Sequence, residues 1–335
     1  MIDHKIAQLA HVEILSPKPD ETLWFFTDLL GMRVSRQEGQ SVHLRAYQDT
    51  YLHSLTITES PTSGMGHAAF RTTSAEDLES LAGAIEKTGR GKGWIENGVG
   101  HGKAYTFTTP DGHNLEAFWE VERYVPTAEE RSSVASAVQM RPLQGVPVKR
   151  IDHLNLLAAD LPATKSFFEE ALTFRTRERV ELPDGSELGA WMSVSPFPHE
   201  VAIMSDMTGT PGRFHHVAYW YGNDTHLNDI AEVLREREIS IEAGPSKHGI
   251  TQSSFLYCYE PAGNRIELFG SIGYNVLEPD WEPRTWTAEN LAIGGSVYGL
   301  ELPDTFFAYG TPPVEITDGA LTEGFKHAPS QVPVS

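Results

Sequence analysis

The strongest constraint on this chain is that its first half repeats as its second. Residues 10–34, AHVEILSPKPDETLWFFTDLLGMRV, align without a gap on residues 152–176, DHLNLLAADLPATKSFFEEALTFRT. His11 meets His153, Phe25 and Phe26 meet Phe167 and Phe168, and Arg33 meets Arg175. A second pair of segments, GHAAFRTTSAEDLESLAGAIEKTG and HHVAYWYGNDTHLNDIAEVLRERE, sets His67 on His216 and Leu78 on Leu227. The segments PDGHNLE and PAGNRIE then end on Glu116 and Glu267. A repeat of this length excludes a single arbitrary mixed sheet and implies two domains of one design.

Each half divides again. A strand opening on a histidine is followed by an amphipathic helix and then by further strands. Asp20, Glu21 and Thr22 precede one helical run, and Ser74 to Asp77 another, as helix starts require. SVHLRAY and HSLTITE have the period of strands. The expected fold is therefore α+β: two domains, each of two paired βαβββ modules. Residues 1–121 form the first domain, 122–147 a linker, and 148–275 the second domain. Residues 276–335 form a tail rich in Pro, Gly and aromatics, either a lid over a cavity or a strap packed on the domain.

Composition narrows the partners. The net charge is −20, which repels nucleic acid and anionic membranes, so neither is expected as a partner. Cys258 is the only cysteine, so no intrachain disulfide or thiolate cluster is available. No apolar run approaches the length of a membrane helix, and the first ten residues lack a signal pattern. The expectation is a soluble, cytoplasmic protein.

Glu267 is the residue that most needs explaining. It sits in the apolar run RIELF, where an unpaired carboxylate is costly. In KRIDHLNLLA, His153 and Asn155 share one strand face. In GRFHHVAYW, adjacent histidines are expected on opposite faces, and the repeat selects His216 over His215. His153, His216 and Glu267 then give two imidazoles and a carboxylate from three strands. Such a set leaves open metal positions and suits Fe(II), or Mn(II), in oxygenases.

The motifs RIDHLN, RFHHVA and KHGITQSSFLYCYEPAGNRIE resemble the catalytic domain of type I extradiol catechol dioxygenases, of the vicinal-oxygen-chelate (glyoxalase-like) superfamily. Ser246 departs from the glycine usual two places before the motif histidine. The resemblance implies Fe(II) on His153, His216 and Glu267. It also implies that a catechol chelates the metal and that O2 is inserted beside the diol to give a 2-hydroxymuconic semialdehyde. It places His199 near O2 as an acid/base, His248 and Tyr257 on the substrate oxygens, and Asn155 and Trp191 on the substrate wall. It further implies a homo-oligomer, often a tetramer.

Family members that take acidic catechols carry an arginine where this chain has Ala243, and a second in the tail near Ile293 and Gly294. An uncharged catechol is expected, with Arg284 in the tail as a cation that could reverse this. Alternatives are a dioxygenase for a larger diol, of the 2,3-dihydroxybiphenyl or homoprotocatechuate type, and a metal isomerase or binding protein on the same fold. The first half has His11, His67 and Glu116 in equivalent places. Glu13 replaces Asn155, Thr106 replaces Tyr257, and His101 only approximates His248. The first half is therefore expected to be a vestigial site.

Overall fold

A computed structural model describes residues 4–314. The first half opens with β1 (Ile6–Ser16), α1 (Pro19–Trp24) running into a π-helical turn (Phe25–Leu29), β2 (Arg33–Glu38), β3 (Ser41–Arg45) and β4 (Leu55–Glu59). It continues with β5 (Gly64–Thr72), α2 (Ala75–Lys87), β6 (Gly91–Ile95), β7 (Ala104–Thr108) and β8 (Asn114–Phe118). The second half repeats the order: β9 (Arg150–Ala158), α3 (Leu161–Glu170), β10 (Arg175–Glu181), β11 (Glu187–Ser193) and β12 (Val201–Ser205). Then come β13 (Arg213–Trp220), α4 (Thr225–Glu236), β14 (Ile241–Lys247), β15 (Ser254–Tyr259) and β16 (Arg265–Phe269).

The four βαβββ modules read from the repeat are present. In each half the modules join through their opening strands, β1 antiparallel to β5 and β9 antiparallel to β13. The sheet orders are β2-β3-β4-β1-β5-β8-β7-β6 and β14-β15-β16-β13-β9-β12-β11-β10, the second extended by one tail strand. Local chemistry sets the helices. Ser74 caps α2 by accepting from the Asp77 amide, and Leu78, Leu81, Ala82 and Ile85 form its buried stripe.

The halves interlock through their matching turns. His113 donates from Nε2 to the carbonyls of Leu157 (3.1 Å) and Arg213 (3.0 Å). Asn264, at the same place in the other half, donates to the carbonyl of Leu15 (3.1 Å), the residue that aligns with Leu157. One apolar core runs through both halves, from Val12 and Phe70 to Phe168 and Val217.

The tail is a wall of the second half. It adds β17 (Arg284–Trp286), parallel to β10, and two short helices, α5 (Leu291–Gly295) and α6 (Asp304–Ala308). Buried Arg265 pairs with Glu242 at 2.6 Å and donates to the carbonyls of Thr305 and Tyr309, both at 3.0 Å. Ser246, the departure noted in sequence, meets Ser296 at 2.8 Å and so ties β14 to the tail. Residues 315–335, the end of the proposed lid or strap, lie outside the described residues.

Candidate metal centre and substrate cavity

β9, β13 and β16 are neighbours in the sheet, and each presents one polar side chain to the same point. His153 Nε2 and His216 Nε2 lie 2.7 and 3.0 Å from the same oxygen of Glu267, and 3.3 Å from each other. All three residues are buried.

The outer contacts fix both imidazoles. His153 donates from Nδ1 to Asp152 at 2.9 Å, whose other oxygen meets the Arg150 guanidinium at 2.8 Å. His216 Nδ1 meets His215 Nδ1 at 2.6 Å, and His215 Nε2 meets the Phe306 carbonyl at 2.7 Å. That carbonyl can only accept, so His215 carries its proton on Nε2 and accepts on Nδ1. His216 must then donate from Nδ1, which leaves its Nε2 a bare lone pair. Two imidazole nitrogens and a carboxylate oxygen thus converge on one point, the donor set of a metal site. Electrostatics agree. Burial works against charge at Glu267, yet His153 and His216 hold it well below the usual carboxylate range. Burial likewise opposes charge on His153, but Glu267 and Asp152 carry it up to about 9.

The expected opposition of His215 and His216 does not occur. The ladder between β13 and β9 slips between Phe214 and His216. This bulge breaks the alternation and brings both rings together. Sequence periodicity missed His215 for that reason, although its adjacency to His216 was the available signal.

Around the triad lies a cavity of about 930 Å³, counting its open mouth. His199 is buried, with its ring centroid 4.0 Å from that of His153 and its Nδ1 without a hydrogen bond. Burial and then the His153 charge keep it well below its ordinary pKa, hence neutral. His248 donates from Nδ1 to the Gly295 carbonyl at 2.7 Å. Its Nε2 is thereby an acceptor for the Tyr257 hydroxyl at 3.0 Å. Asn155 and Trp191 both line the cavity, and Asn155 Oδ1 is buried without a partner. The rest of the wall is mostly apolar, with Val180, Leu188, Ile250 and, from the tail, Leu291, Leu302, Phe306 and Phe307, beside the hydroxyl residues Ser205, Thr251 and Ser253.

Among the described residues lining the cavity there is no lysine or arginine. Arg284 is exposed on β17, 4.7 Å from the Trp281 ring, and does not reach the cavity. Ala243 packs with Phe255, Tyr257 and Phe306.

Residues 8–117 and 150–268 each match the glyoxalase/bleomycin resistance protein/dioxygenase superfamily. The chain belongs to this superfamily. Among its members, the metapyrocatechase of Geobacillus stearothermophilus is 47% identical over 308 residues, 92% of this chain and 94% of that one. A manganese-dependent 2,3-dihydroxybiphenyl 1,2-dioxygenase of Geobacillus genomosp. 3 is 36% identical over 302 residues, covering 89% and 95% of the two chains. In structure, the superfamily fold is shared with homoprotocatechuate 2,3-dioxygenase from Arthrobacter globiformis. That match has a TM-score of 0.83 and 24% identity and covers 93% and 94% of the chains. No helix among the described residues is long and apolar enough to cross a membrane.

Proposed function

We propose that this protein is an extradiol dioxygenase that opens catechol, or an uncharged substituted catechol, with O2. The overall change adds both oxygen atoms of O2 to catechol and gives 2-hydroxymuconic semialdehyde. The observation that carries the reading is a His–His–Glu triad at the floor of an apolar cavity that also holds a neutral buried His199 and the His248–Tyr257 pair.

His153, His216 and Glu267 would hold Fe(II), or Mn(II), which both suit this nitrogen and oxygen donor set. When bound, the metal supplies coordination sites for the diol and O2 and a route for electron density between them. The chain does the rest. Neutral His199 can take a proton at its free Nδ1 and return it. Tyr257 Oη, steadied by His248, can accept or donate at a substrate oxygen. Asn155 and Trp191 orient the ring, and the tail residues keep water from its apolar face. A substituent carboxylate would enter a wall without a cation and lose its charge-assisted bonds. The reading also carries a cytoplasmic homotetramer, supported by the family resemblance and by exposed Leu143, Leu277 and Tyr298; sedimentation of the purified chain tests the assembly.

The deciding assay supplies Fe(II)-loaded protein with air and, in turn, catechol, 2,3-dihydroxybiphenyl and 3,4-dihydroxyphenylacetate. A yellow ring-opened product with the highest kcat/KM for catechol is expected. Preference for 3,4-dihydroxyphenylacetate would refute the uncharged substrate, and no product from any diol despite bound iron would refute the dioxygenase.

A further inference from the structure

The first half carries a donor cluster that the reaction above does not use. His11 on β1, His67 on β5 and Glu116 on β8 present ligand atoms all within 4.8 Å of one another. The strands are the counterparts of β9, β13 and β16, so the fold builds the same constellation twice.

Hydrogen bonding fixes what these atoms are. His67 donates from Nδ1 to Glu13 at 2.8 Å, and that carboxylate also accepts the Thr58 hydroxyl at 2.6 Å. This turns His67 Nε2 toward His11 Nε2, 3.1 Å away. His101 donates from Nδ1 to the Gly102 carbonyl at 2.9 Å. Its Nε2 lies 3.1 Å from Glu116 Oε1. That oxygen is buried and makes no hydrogen bond of good geometry, though His11 Nε2 and His67 Nε2 stand 3.5 and 3.7 Å away. Three imidazole nitrogens, from His11, His67 and His101, thus converge on one carboxylate oxygen. Buried polar groups are normally satisfied, and a cation at their centre satisfies every one of them.

We propose that the first half holds a second divalent first-row metal ion on His11, His67 and Glu116, with His101 facing the same carboxylate oxygen. The donors are imidazole and carboxylate, without thiolate, as such ions accept. Glu13 behind His67 is the carboxylate–histidine arrangement that metal ligands use. The ion is structural. Thr106, in the place of Tyr257, spends its hydroxyl on the Gly93 carbonyl at 3.0 Å, and the Phe118 ring stacks on His101 with centroids 4.5 Å apart. The expected vestigial site thus lacks the substrate donors and keeps the metal donors.

The test counts Zn(II) bound per full-length chain after chelation, reloading with Zn(II) alone and gel filtration. Wild type is expected to hold about two ions, His216→Ala about one, His67→Ala about one, and the double variant close to none. Zn(II) is expected to raise the melting temperature of His216→Ala but not of the double variant. Fe(II)-loaded His67→Ala is expected to keep catechol cleavage within about twofold of wild type, since it leaves the second-half site untouched. Glu116→Gln, nearly isosteric, replaces His67→Ala should the latter not fold. One ion in wild type and none in His216→Ala would overturn the proposal and show that protons alone neutralise the cluster. Either count is independent of whether a catechol is cleaved.

Discussion

His215 does for His216 what Asp152 does for His153: each occupies Nδ1 and turns Nε2 toward Glu267. Removing such an outer partner typically weakens metal binding about 10–100-fold. His215→Ala is expected to weaken second-half metal affinity by that amount, read by chelator competition. His215→Asn, whose carbonyl can accept the same proton, is expected to recover part of it. His199 touches no ligand atom through a hydrogen bond, so His199→Ala should keep the metal. Loss of its proton transfer should lower kcat about 10²–10⁴-fold, measured on metal-matched protein.

Glu200, the neighbour of His199, shows a pH effect of its own. Burial pushes its carboxyl up from an ordinary 4.5 to about 7, against the pull of bonds from Ser195 and the Val194 amide. The folded state thus favours the neutral acid. The resulting stabilisation is full below 4.5 and is lost as pH rises through about 7. Glu200→Gln is neutral throughout and is expected to gain on wild type above pH 7. At about 1.4 kcal/mol per unit, the gain is on the order of 3 kcal/mol. Denaturant melts at pH 5 and pH 8 measure the difference.

At the scale of elements, the strands were legible and the tail was not. Period-two alternation and the repeat located the strands of His153, His216 and Glu267, because burial on a sheet face leaves a mark on every second residue. The slip between Phe214 and His216 leaves no such mark, so His215 was read as facing away. The tail has neither period nor counterpart in the first half, and its partners are backbone carbonyls that any residue type supplies. Phe306 contributes one of them to His215 and its ring to the cavity. A chain truncated before Pro303 loses α6, the His215 acceptor and part of the apolar wall. It is expected to bind metal more weakly and to show a raised KM for catechol, by calorimetric titration and steady-state assay.

The whole molecule is expected to unfold as one cooperative body, because its core crosses between the halves. His113 is buried and bonded to two carbonyls on the strands that carry His153 and His216. His113→Ala strands those carbonyls, and each unsatisfied buried group costs about 1–3 kcal/mol. Calorimetry of the variant is expected to show one transition at lower temperature, rather than a split into two. The interlock was foreseeable only in part. The matched turns PDGHNLE and PAGNRIE were visible, but the alignment could not reveal that each turn closes on the opposite half.

The oxygen that holds His215, and through it His216, lies 91 residues further along the chain. At synthesis rates of about 5–20 residues per second, those residues take on the order of 5–20 s to make. Glu267 is made within that interval, so over its last part the nascent chain has all three ligands but lacks the acceptor that fixes the ring of one of them. An ion bound before Phe306 is in place is therefore expected to be held more loosely than one bound by the finished site.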